Sequence, residues 1–278
     1  MIGVCTVLLR LSPGARWPLL LAAVRDEFTG RAWDPPAAHW PDEPSVWGGR
    51  DRTAGGTWLA VDRDRPAVAA LLNGVRRDPP ADGVPRPTRG SLALAALRPG
   101  ESGVVVPGGS GVVVPGGTGV VVPGIADADA LARYDSFHLL RADVHGAQIW
   151  SWDGVALSQQ QLPPGDHIIV NIGPDRADDP LVPHFRPLFA ALPNPDPTPG
   201  LSPADAWPGW VDLLRGDGLA PDDVRGLIID HGIVDAAGVV HHYGSTSASL
   251  VALAADGRVR YDFTATPATP DWYEVGMG

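Results

Sequence analysis

Two apolar runs near the N-terminus constrain the fold more than any other feature of the chain. The first is Val4-Cys5-Thr6-Val7-Leu8-Leu9, and the second, Leu19 to Val24, runs straight into Arg25-Asp26-Glu27-Phe28. Both have strand length. Paired as neighbours, they bring the thiol at the start of one strand close to the arginine and aspartate at the end of the other. Cys5 is the only cysteine in 278 residues. Arg25 then favours the thiolate electrostatically, and Asp26 orients either Arg25 or a terminal amine, which makes a nucleophile site. A plainer reading fits the same residues, with Cys5 a small buried hydrophobe and Arg25-Asp26-Glu27 a solvated turn.

The sequence also excludes several chemistries. The chain carries 21 arginines and no lysine, so a Schiff-base lysine, a lysine general base and the lysine of a phosphate loop are ruled out. A lone cysteine makes neither an intramolecular disulfide nor a cysteine-built zinc cluster, and nothing calls for an oxidising compartment. The expectation is a cytoplasmic protein with no bound metal. The net charge of −11 and the lack of a dense basic patch argue against nucleic acid. No apolar run is long enough to span a membrane, and Pro18 to Val24 is too short for a signal core.

With 44% apolar residues, the chain has enough material for one large core, and residues 1–278 read as a single domain. Strands are expected at Thr57–Asp62, Ala67–Asn73, Phe137–Val144, Gln148–Trp152 and His167–Asn171. Helices are expected at Ser91–Leu97, Asp127–Tyr134, Pro183–Leu192, Ala204–Arg215 and Pro221–Asp230. Asp34-Pro35-Pro36 reads as a loop. Asp256-Gly257, flanked by Ser247–Ala254 and Arg258–Thr264, is the strongest hairpin signal in the chain. At about 101–124 an eight-residue unit, Gly-Val-Val-Val-Pro-Gly-Gly-Ser/Thr, repeats in tandem with Pro107, Pro115 and Pro123 at equivalent places. Three such units are too few for a solenoid, so the stretch reads as an inserted loop of Pro-Gly turns, exposed and mobile.

Several of these motifs occur in one order: Ala22-Ala23-Val24-Arg25-Asp26-Glu27-Phe28, Gly55-Gly56-Thr57-Trp58-Leu59, Asn73, Thr88-Arg89-Gly90, Leu162-Pro163-Pro164-Gly165 with Asn171, and Tyr243-Gly244-Ser245. Together they resemble the NRDE family, the family of the Transport and Golgi organisation protein 2. The family's kinship with N-terminal-nucleophile hydrolases implies an α+β fold, a four-layer α-β-β-α sandwich of mainly antiparallel sheets. It also implies a cysteine that attacks a small amide or acylated amine, with its own α-amine as base, and no cofactor. The resemblance assigns Cys5 as nucleophile, Arg25 and Asp26 as orienting groups, and Asn73 and Asn171 as partners of the reacting carbonyl. Each asparagine also fits a strand-end turn.

The chain departs from the family pattern at Val24, where asparagine is expected, at His138, also in place of asparagine, and at Thr246, where some relatives have arginine. The mechanism needs Cys5 at the mature N-terminus. Initiation at the codon of Val4 followed by removal of the initiator methionine would expose it, as would a start at Met1 with later cleavage between Val4 and Cys5; with residues 1–4 retained the chain is not a hydrolase. A second reading implied by the family is an intracellular carrier of haem or another amphipathic ligand. For that the chain offers eight histidines, among them His241-His242, whose side chains in a strand point to opposite faces.

Overall fold

A computed structural model describes residues 5–75, 85–98, 105–106, 110–111, 120–235 and 237–277. The protein is α+β, with few helices and mostly antiparallel sheets. The chain divides into two compact units. Met1–Ala32 and Pro164–Gly278 form the first, and Trp33–Pro163 the second.

The first unit is built on β1 (Thr6–Leu11) and β2 (Leu19–Phe28), which pair antiparallel with Thr6 opposite Val24 and Leu11 opposite Leu19, as the two apolar runs predict. The second unit comes next in the chain. Its strands are β3 (Trp33–Ala37), β4 (Val46–Asp51), β5 (Leu59–Asp62) and β6 (Ala67–Asn73), followed by helix α1 (Gly90–Ala95). Short strands β7 (Val105–Val106), β8 (Ser110–Gly111) and β9 (Val120–Val121) come next, then helix α2 (Ala128–Ala132), β10 (Phe137–Asp143), β11 (Gly146–Trp152) and β12 (Leu157–Leu162). The chain returns to the first unit with β13 (Gly165–Val170), β14 (Gly173–Pro174) and helices α3 (Leu181–Ala190), α4 (Pro203–Ala206) and α5 (Trp210–Leu213). It closes with β15 (Asp230–Val234), β16 (Val240–Leu253), β17 (Val259–Thr264) and β18 (Tyr273–Glu274).

The sheet of the first unit runs β14-β13-β1-β2-β16-β17-β18, with β15 also paired to β16. Its even-numbered residues, Leu8, Leu20, Ala22, Val24, Ala248 and Leu250, pack with Phe185, Phe189, Trp207 and Trp210 of the helical segments. The odd-numbered Leu9, Leu19, Leu21, Val251 and Leu253 are buried too. Burial on both faces explains why these strands read as unbroken apolar runs instead of alternating ones. The Asp256-Gly257 hairpin forms as expected between β16 and β17, with Gly257 at φ +87° and Ala254 N–H bonded to Arg258 O at 2.8 Å.

The second unit's main sheet runs β3-β4-β5-β6-β10-β11-β12-β8, antiparallel except for the β12–β8 pair. Leu92, Leu94 and Leu131 of its helices pack with Ala69, Phe137, Leu139 and Trp150 of the sheet. Most of the valine repeat lies outside the described residues. Its described pieces are β7 paired with β9, β8 at the edge of the sheet, and Val122, which is buried in this core. The expectation of an exposed, mobile loop therefore falls mostly on residues outside those described.

Three local expectations are corrected. Asp34-Pro35-Pro36 lies within edge strand β3, where a proline's missing N–H costs no ladder bond. The helix expected over Ala204–Arg215 splits at Gly209, whose φ of +78° no continuous helix adopts. Pro221–Asp230 is not a helix. There the Asp223 carboxylate takes the Arg225 main-chain N–H at 2.9 Å, and Val224 is exposed, so side-chain bonding displaces the helical ladder and no apolar face holds it.

Candidate active site

Cys5 sits one residue ahead of β1, half-buried, beside the end of β2. The Thr6–Val24 pair sets Cys5 opposite Arg25, and the sulfur lodges against the next residue. The Asp26 N–H donates to Cys5 Sγ at 3.4 Å, and the thiol reaches Asp26 O at the same distance. The structure therefore brings together Cys5, Arg25 and Asp26, as the spacing predicts.

The third strand of the site is β16. It pairs with β2 through Gly244–Glu27 and Ser245–Asp26, then shifts register so that Ser247 faces Arg25 and Thr246 is the extra residue. That bulge turns Thr246 onto Arg25. Arg25 Nη1 donates to Thr246 Oγ1 at 2.9 Å, and Thr246 Oγ1 donates to Arg25 O at 3.2 Å. Arg25 Nη2 reaches Glu27 at 3.4 Å, and Glu27 lies 3.7 Å from Arg31. The Asp26 carboxyl is bonded to Ser245, whose Oγ donates to Asp26 Oδ1 at 2.6 Å, and not to Arg25. Tyr243 donates its hydroxyl to Asp26 O at 3.2 Å.

The electrostatics correct one expectation. Arg25 does act on the thiol in the direction expected, but burial outweighs it, and the neighbouring Asp26 charge opposes ionisation further. The Cys5 thiol is pushed up to about 12 and rests protonated. Burial likewise pushes the Asp26 carboxyl up to about 8, against the smaller opposite pulls of the Ser245 hydroxyl and of Arg25. Asp26 is therefore a neutral acid at pH 7. Burial also raises Tyr243, reinforced by Cys5 and Asp26.

Asn171 belongs to the same sheet. Val170 pairs with Gly173, so Asn171 and Ile172 make the turn between β13 and β14. Continuing the β1–β13 register by two residues from Val7–Ile169 sets Asn171 level with Cys5. This turn is braced by Asp175, at φ +55°, which accepts from the Ile168 N–H at 3.0 Å, from Arg186 at 2.7 Å and bonds to His167 Nδ1 at 2.7 Å. Burial alone would raise Asp175, yet these bonds hold its carboxyl down at about 2. Asn73 is the last residue of β6, opposite Phe137, and belongs to the second unit. His138 is there too, buried, with Nδ1 2.7 Å from Ser151 Oγ. His241 and His242 each engage a carboxylate of their own hairpin, Asp235 at 2.8 Å and Asp230 at 3.4 Å.

Sequence reasoning missed Ser245 and Thr246 as working parts of the site, reading Thr246 only as a lost arginine. The signal available was the polar Tyr-Gly-Ser-Thr-Ser run ahead of the apolar end of the strand, with a glycine at 244, where the Ile229 backbone packs close. The family model described as Transport and Golgi organisation 2 matches residues 4–181, which hold Cys5, Arg25, Asp26, Asn73 and Asn171 and stop short of β16. No curated protein matches the chain.

Proposed function

The chain belongs to the Transport and Golgi organisation 2 family, and from that premise we propose that it is a cysteine amidohydrolase of the N-terminal-nucleophile type, acting on a small amide or acylated amine. The observation that carries this reading is the seat of Cys5. The sole thiol is held at a strand start by both main-chain groups of Asp26, with Arg25 on the adjoining strand. The four-layer α-β-β-α arrangement is part of the proposal, supported by the presence in each unit of one sheet with helices packed on it.

A thiol pushed up to about 12 does not attack as a standing thiolate. It needs a base within reach at the moment of attack. A free α-amine on Cys5, with a pKa of about 7.7 to 8.0, supplies one, whereas an amide nitrogen does not. In the proposed sequence the α-amine takes the thiol proton as the sulfur bonds to the substrate carbonyl carbon. The C–N bond then breaks, the proton leaves with the amine, and water hydrolyses the thioester to release the acid and restore the thiol. Asn171, level with Cys5 in the same sheet, is the proposed donor to the carbonyl oxygen. The neutral Asp26 holds the sulfur's position through its main chain without placing a full negative charge beside the bond being made.

Intact-mass analysis and N-terminal sequencing of the mature protein test the first requirement, with Cys5 expected as residue one. Retention of residues 1–4 sinks the enzyme reading. On a panel of acyl-amides, Cys5→Ala is expected to lose activity by about a thousandfold or more, with Cys5→Ser keeping a trace. Unchanged turnover by Cys5→Ala would overturn the assignment.

A further inference from the structure

Ser245 is held from two sides before it touches Asp26. Its main-chain N–H bonds to Ile229 O at 2.9 Å, and its Oγ accepts the Ile229 N–H at 3.0 Å. This close approach depends on Gly244, where a Cβ would lie 2.6 Å from Ile229 O. A serine hydroxyl has one hydrogen. It is donated along the 2.6 Å line to Asp26 Oδ1, while the oxygen accepts the Ile229 N–H.

We propose that Ser245 is a positioning residue of the Cys5 site: by fixing Asp26 Oδ1 as an acceptor, it confines the acid proton of Asp26 to Oδ2 and sets the pH at which this carboxyl ionises beside the thiol. The proposal rests on the reading of Cys5 as nucleophile. The carboxyl is almost fully buried, and among the described residues its hydrogen-bonded partner is Ser245. The nearest cation, Arg25, is directed to Thr246 and Glu27. The other titratable groups that act on Cys5 and Asp26 are Glu27 on β2, Tyr243 on β16 and, in the mature protein proposed above, the α-amine of Cys5 itself. Among the described residues, Ser245 and none of these titratable groups bonds to the carboxyl oxygens. Its O–H stabilises the charged carboxylate more than the neutral acid, so removing it makes Asp26 harder to ionise.

The consequence is measurable without a substrate, because Cys5 is the only thiol. Its alkylation by iodoacetamide tracks the thiolate fraction, which rises tenfold per pH unit until Asp26 ionises. The new negative charge then opposes the thiolate, and the rise slackens near pH 8. In Ser245→Ala the break is expected about one pH unit higher, the loss expected for one hydrogen bond to a charged group. The Cys5 α-amine titrates in the same range, so Asp26→Asn is the reference: the part of the break that it removes is the part assigned to Asp26. If Ser245→Ala does not fold, the shape-matched pair Ser245→Val and Ser245→Thr makes the same test, with Thr keeping the wild-type break and Val displacing it upward. An unmoved break in Ala or Val, or an equal shift in Thr, overturns the proposal. A shifted break in a protein that turns over no amide leaves Ser245 in place and sinks the hydrolase reading alone.

Discussion

Two arginine–aspartate pairs that are close in sequence lie on strands of the first unit's sheet, and they are treated in opposite ways. Arg260 and Asp262 stand two residues apart on β17, so their side chains share a face. They form a bidentate pair, Nε to Oδ2 at 2.7 Å and Nη2 to Oδ1 at 2.8 Å, with both side chains fully buried. Every further donor is used. Trp207 Nε1 reaches Asp262 at 2.7 Å, and Arg260 donates to Thr198 O, to Leu201 O and to Glu274, each at 3.0 Å. Arg25 and Asp26 are adjacent on β2, so the period of two sends them to opposite faces. The arginine bonds to Thr246 and the carboxyl is left with a serine. One register step separates a satisfied ion pair from a buried acid that keeps its proton.

The comparison breaks most visibly at the satisfied pair. Replacing Arg260 with methionine leaves Asp262 buried without its cation, and chemical denaturation is expected to show a loss of about 3–5 kcal/mol. The double variant Arg260→Met/Asp262→Leu should recover much of that loss, because two apolar groups demand no charge compensation. A single variant as stable as the wild type would show that the pair is not held as described.

A smaller effect of opposite sign is expected at Asp26. A carboxyl whose folded value is raised to about 8 binds its proton more tightly folded than unfolded. Its contribution to stability therefore falls as pH rises from the unfolded value of about 4 through 8. Asp26→Asn removes that slope. It is expected to match the wild type near pH 4 and to become progressively more stable than it as pH rises through 8, read from urea midpoints across that range. The reverse order, with Asn less stable at pH 9, would mean that the carboxylate is stabilised in place and that the contrast with Asp262 is false.

These contrasts also explain what was legible in the sequence. The β1–β2 pairing, and with it the meeting of Cys5 with Arg25 and Asp26, followed from two apolar runs of strand length; the hairpin at Asp256-Gly257 followed from a turn that needs φ > 0. Both are local rules. The hydroxyl partners of Arg25 and Asp26 come from β16, more than two hundred residues away, and depend on a bulge at Thr246 whose position the polar run from Tyr243 does not fix. The state of the thiol was misjudged for a related reason: adjacency in sequence counted the charge of Arg25 but not the burial that outweighs it. Asn171 could be placed beside β1 only through the β13 register, and Asn73 belongs to the other unit.

The smallest expected effect tests whether alternation alone keeps Arg25 from Asp26. Thr246 Oγ1 makes two hydrogen bonds with Arg25, so Thr246→Val removes one contact from a guanidinium that still has Glu27 and one from the Arg25 main-chain carbonyl. The cost in stability should be about 1 kcal/mol. If side-chain direction is what separates the two charges, the freed guanidinium stays on its own face of the sheet. The break in Cys5 alkylation then stays within a few tenths of a pH unit of the wild type. If Thr246 instead holds Arg25 away, the guanidinium reaches the carboxyl, Asp26 ionises more readily, and the break moves to lower pH, opposite to the shift expected for Ser245→Ala. Paired alkylation profiles of the two variants distinguish these cases, and a downward shift approaching one unit would replace the register account with one based on the threonine hydroxyl.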